Sequence, residues 1–163
     1  ETSDRARRIV DIWETDGARE FDLVELFSER AERLREAHSD VAVQTELPEE
    51  CLIVSHRELP AAIDEALANA VEHNPSDVSI TLEVEHATDE EVVVTIADDG
   101  TGLSKVDRKA LELPEETPLS HTQGLGLWIM YWVVRKSDGR LTLTENQPEG
   151  TVVRMSLPKH FSA

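Results

Sequence analysis

The sequence has one cysteine, Cys51, and only four lysines, Lys105, Lys109, Lys136 and Lys159, among 163 residues. A lone cysteine excludes an internal disulfide and any multi-cysteine zinc site, and it points to a reducing compartment. The residue reads as a small buried apolar side chain on a strand, not as a reactive thiol. Long apolar runs are also missing: the longest nearly uncharged stretch, residues 125–134, is about half the roughly 20 residues of a membrane-spanning helix. No basic, apolar, small-residue leader follows Glu1, so no signal peptide is expected. The chain reads as a fragment, with a sensor or membrane part expected outside it.

Basic residues number 16 against 34 acids, a net charge of −18. That field disfavours DNA, RNA and anionic membrane surfaces as partners. The acid-rich, lysine-poor pattern resembles proteins of extreme halophiles, where a Debye length of about 3 Å at ~1 M salt screens self-repulsion.

What is present is a globular pattern: 39% hydrophobic and 31% charged residues, enough chain for one compact core and too little for two ordinary domains. Ile9, Ile12 and Trp13 have helical spacing and read as the end of an upstream helix. A short extended stretch at 19–21 precedes Asp22, which caps a helix with Leu23, Leu26, Phe27, Ala31 and Leu34 on its buried stripe. VAVQTEL (41–47) and CLIVS (51–55) read as strands of one hairpin around Pro48. A helix follows from about Arg57 or Glu58 to Glu72, with Pro60 tolerated in its first turn. Residues 77–86 and 91–99 read as antiparallel strands, 124–136 as an apolar helix, and 140–146 and 151–158 as two more strands. The order predicts an α+β sandwich, a mixed, mostly antiparallel sheet with helices on one face.

Chemistry-bearing residues fall into three places. Glu65 and Asn69 are four apart and share a helical face, as hard oxygen donors suited to Mg²⁺. Asp98 ends a strand before Asp99-Gly100-Thr101-Gly102, where a carboxylate can accept from an exocyclic amino group and the glycines admit a ligand. Gly124-Leu125-Gly126-Leu127 opens a helix whose free N–H groups form a phosphate seat. Each feature alone is also compatible with ordinary surface, turn or helix-start chemistry. No P-loop and no complete GxGxxG fingerprint is present.

In order, EALANAVEH (65–73), DDGTG (98–102), GLGL (124–127) and the late Gly150-Thr151 resemble the N box, the two glycine boxes and the final Gly-Thr of the GHKL ATPase superfamily. The resemblance is closest to the catalytic ATP-binding domain of sensor histidine kinases. It implies a Bergerat-type sandwich over residues 17–160 holding Mg-ATP, with residues 1–16 ending a dimerisation, phosphoacceptor or linker segment. On that resemblance Glu65 and Asn69 are the catalytic and Mg²⁺-binding pair, and Asp98 receives the adenine amino group. Gly100 and Gly102 admit adenine and ribose, Gly124 to Leu127 bind phosphates, and Thr151 supports the adenine pocket. His73 stands in the nucleotide site where an aromatic is usual, and 104–123 is the ATP lid.

Some residues depart from the family pattern. Glu72 stands where many relatives place a lysine, and Thr122 where a glycine is frequent, which leaves phosphate binding to Mg²⁺ and lid residues such as Arg108, Lys109 or His121. No histidine has the acceptor context; His56-Arg57-Glu58-Leu59-Pro60 is a superficial match read as structural. The expected activity is γ-phosphoryl transfer from Mg-ATP to a histidine on a dimerisation domain outside this chain. The expected partners are that domain in a homodimer and a response regulator, in the cytoplasm, with room for a membrane anchor elsewhere in the full-length protein. The rival readings are a catalytically silent nucleotide-binding module and a GHKL ATPase or serine kinase.

Overall fold

The computed structural model describes residues 17–72, 78–100, 124–146 and 150–161. The order is β1 (Ala18–Asp22), α1 (Leu23–Ala37), β2 (Ala42–Glu46), β3 (Leu52–His56), α2 (Leu59–Glu72), β4 (Ser79–His86), β5 (Glu91–Asp98), α3 (Gly124–Lys136), β6 (Arg140–Glu145) and β7 (Thr151–Pro158). The terminal segment 1–16, His73 and residues 101–123, with Gly102 and the expected lid, lie outside the described residues.

Helix α1 starts where Asp22 caps it: Oδ1 accepts the N–H groups of Val24 and Glu25 at 3.1 and 3.2 Å. Leu23, Phe27 and Ala31 recur every four residues and are buried, with Leu26 and Leu34 packed at the margin. Helix α2 buries Leu59, Ile63, Ala66, Leu67 and Ala70, as its spacing predicts. Arg30 on α1 reaches Asp64 on α2 at 2.6 Å and ties the two helices at the surface.

Five strands form one sheet in the order β2-β4-β5-β7-β6, parallel only at β2-β4. Alternate residues of β4, β5 and β7 (Ile80, Leu82, Val84; Val92, Val94, Ile96; Val153, Met155, Leu157) are buried. The helices lie against this sheet, α1 on β2 and β4, α2 on β5 and α3 on β6, and α2 packs along α3. This is the two-layer α/β sandwich that the element order predicts.

Pairing of the early strands differs from the expected hairpin. β2 joins β4 in parallel, Ala42 opposite Ser79, while β3 pairs with β1, Ala18 opposite His56, in a separate two-stranded sheet. Both runs are strands, but alternation does not identify a partner, and between Glu46 and Leu52 the chain passes from one sheet to the other. The free edge of β3 is taken by the chain end: Val54 N–H donates to the Lys159 carbonyl at 2.7 Å, and Phe161 N–H to the Val54 carbonyl at 2.9 Å.

The end of α3 is held from inside. Ser137 Oγ donates to the Val133 carbonyl at 2.8 Å and accepts from Ser55 Oγ and the His56 N–H at 3.0 and 3.2 Å. Asp138, at φ 61°, takes the left-handed turn. His56 is 1% exposed and its Nδ1 accepts from the Glu58 N–H at 3.1 Å, the structural role expected of it. No helix among the described residues is long and apolar enough to cross a membrane.

Candidate functional site

Strand β5 delivers Asp98 to the edge of the helix-covered face, 6% exposed. Its Oδ1 accepts the Gly100 N–H at 2.9 Å and the Thr151 N–H at 3.3 Å. The first bond closes a tight turn and the second crosses to β7, where Thr151 is the register partner of Asp98. Asp98, Gly100 and Thr151 are therefore one cluster, all three buried. Asp99 faces the other way, accepting the Ser79 N–H at 2.7 Å, and anchors the turn to β4.

Two further residues hold Asp98 by its main chain. Asn146 Nδ2 donates to the Asp98 carbonyl at 2.8 Å, while its own N–H donates to the Gly150 carbonyl at 3.0 Å. Gly150, at φ 117°, packs so close that a side chain there would collide with the same Asp98 carbonyl oxygen. Glycine at 150 is part of the family resemblance, and its conformation gives that residue a physical reason. Asn146 was not among the expected site residues: an asparagine before Gln-Pro-Glu-Gly reads as ordinary turn chemistry, and its bond spans 48 residues.

The second cluster lies where α2 meets α3. Glu65 and Asn69 share one α2 face, both partly exposed, and the Glu65 carboxylate lies beside Gly126 in the first turn of α3. Gly124 opens this helix, as expected, so the N–H groups of its first turn lack helical partners and carry the positive dipole end. Leu127 sends its side chain into the core at 3% exposure, which leaves only its backbone for a ligand. Trp128 and Trp132, 5.5 Å apart, pack α3 onto the body of the domain.

Because α2 contacts both β5 and α3, it links the two clusters. Asn69 and Glu65 offer the hard oxygen donors that Mg²⁺ takes together with substrate phosphates. Among the described residues no group of three or more His, Cys, Asp or Glu forms a metal-only cage.

The sandwich thus carries a buried carboxylate at a strand end and an acidic-amide helix packed along a glycine-led one. The chain belongs to the family of histidine kinase-, DNA gyrase B-, and HSP90-like ATPases, whose model matches residues 55–160. Sporulation kinase E of Bacillus subtilis is 27% identical over 97 residues, covering 60% of this chain and 13% of that protein. The catalytic domain of histidine kinase ThkA superposes with a TM-score of 0.74 at 22% identity, covering 90% of this chain and 99% of that one. ThkA in complex with the response regulator protein TrrA gives 0.75 at 20% identity, covering 96% and 47%. The chain thus spans about an eighth of the curated kinase's length.

Proposed function

We propose that this chain is the ATP-binding catalytic domain of a two-component sensor histidine kinase. It would transfer the γ-phosphoryl group of Mg-ATP to a histidine on a dimerisation domain outside the chain. The observation that carries the reading is Asp98: a buried carboxylate fixed by two backbone N–H groups, a suitable acceptor for the adenine amino group. Gly100, Gly102 and Thr151 would shape the adenine and ribose pocket, with His73 beside it, and the backbone of Gly124 to Leu127 would take phosphate oxygens. Asn69 and Glu65 would hold Mg²⁺, which supplies charge neutralisation on the phosphates. The protein's part is mostly positioning and electrostatics.

On this reading residues 1–16 end a dimerisation or linker segment, and 17–160 form the catalytic unit of a homodimeric cytoplasmic kinase that also meets a response regulator. The acidic composition suits molar salt. Calorimetric titration with Mg-ATP in molar KCl should give saturable binding that Asp98→Asn abolishes; equal binding by both proteins would remove Asp98 from the pocket. Supplying the dimerisation domain should then yield acid-labile phosphohistidine.

Glu65, a carboxylate in the site, supports a second reading in which it acts as general base for water or a serine acceptor. Steady ATP hydrolysis by the chain alone, or acid-stable phosphoserine on a partner, would favour it. Binding without transfer to any acceptor would favour a silent regulatory module, for which Glu72 in place of a cationic residue is the sequence argument.

A further inference from the structure

Gly126, the second glycine of the GLGL run, has a neighbour that a phosphate seat does not require. A Cβ placed on it would lie 2.7 Å from Glu65 Oε1 and 3.7 Å from Glu65 Cδ. The first distance is well inside van der Waals separation, so the carboxylate lies in the space a side chain at 126 would enter. Glu65 belongs to α2 and Gly126 to the first turn of α3, and the two helices pack together. Their backbones are pinned on both sides of the contact: Ile63 and Ala66 on α2, and Leu127, Ile129 and Met130 on α3, are at most 3% exposed. The flexible member of this contact is therefore the far end of Glu65, not either backbone.

We propose that Gly126 is a positioning residue for Glu65. Its missing side chain lets the carboxylate lie against the first turn of α3, where the helix dipole favours a negative charge. This rests on, and deepens, the reading of Glu65 as a site carboxylate. Glycine is a poor residue inside a helix, and alanine there ordinarily stabilises. Gly126→Ala should therefore keep the fold and displace only the Glu65 side chain.

The test uses the wild type, Gly126→Ala, Glu65→Ala and the double variant. Each single change should weaken Mg-ATP binding or phosphotransfer by about tenfold, and the double variant should be no worse than Glu65→Ala alone. Fully additive losses would overturn the proposal, since Gly126 would then act on the nucleotide independently of Glu65. A ligand-free readout separates this from the functional reading. Glu65→Ala should shift the amide ¹H–¹⁵N resonance of residue 126 in the wild-type background and leave it nearly unmoved in the Gly126→Ala background. Equal shifts in both backgrounds would overturn the proposal, whereas failure of the wild type to bind Mg-ATP would instead sink the nucleotide reading.

Discussion

At the scale of single residues, Asp98 is held through its carboxylate by Gly100 and Thr151 and through its carbonyl by Asn146. Asn146→Ala should lower Mg-ATP affinity several-fold and cost about 1 kcal/mol, the ordinary net worth of a hydrogen bond, read by calorimetry and denaturant unfolding. Gly150→Ala should cost about 2 kcal/mol or more, because a left-handed φ and a collision with the Asp98 carbonyl act together. Burial pushes the Cys51 thiol pKa up from its ordinary 9.0, with Asp22 adding to the rise and Lys159 opposing it. The folded state thus keeps a proton that the unfolded state releases. The contribution of Cys51 to stability is then intact below pH 9.0 and is lost as pH climbs through the folded value. Cys51→Ala should remove that alkaline limb from a stability–pH curve. Asp98 and Thr151 were singled out in the sequence because motifs carry them, and the structure sets them side by side. Asn146 was not, because its work is a long-range bond to a main-chain carbonyl, which leaves no local pattern.

At the scale of elements, the helices were easier to read than the strand pairing. Asp22 and the four-residue recurrence of Leu23, Phe27 and Ala31 mark α1 locally, and Asp22→Ala should cost about 1 kcal/mol in thermal or chemical unfolding. β4 pairs with β5 and β6 with β7, sequence neighbours whose short connections reveal the pairing, whereas β5 meets β7 across α3 and β6. β2 and β3 do not pair with each other: each finds its partner across intervening helices, and alternation of residue type is blind to that choice. The Ser137 node was equally hidden, since a serine at a helix end reads as a turn residue. Its hydroxyl serves Val133, Ser55 and His56 at once. Ser137→Ala leaves the Ser55 hydroxyl and the His56 N–H without this acceptor and should cost about 2 kcal/mol.

At the scale of the whole molecule, a net charge of −18 on 163 residues makes self-repulsion the dominant long-range term. Raising KCl from ~0.1 to ~1 M shortens the Debye length from about 10 to 3 Å and should raise the melting temperature by several degrees; a flat or falling trend would count against a salt-adapted surface. Chain order also bears on how the domain forms. β7 lies inside the sheet, between β5 and β6, yet it is the last of the described strands in sequence. Asp98 takes hydrogen bonds from Asn146, at the end of β6, and Thr151, at the start of β7, while Gly150 leaves room for its carbonyl. A nascent chain that has emerged only through β5 therefore has the carboxylate but not its clasp. The Asp98 cluster is complete only once β7 has cleared the ribosome, and β6 has no sheet partner until then.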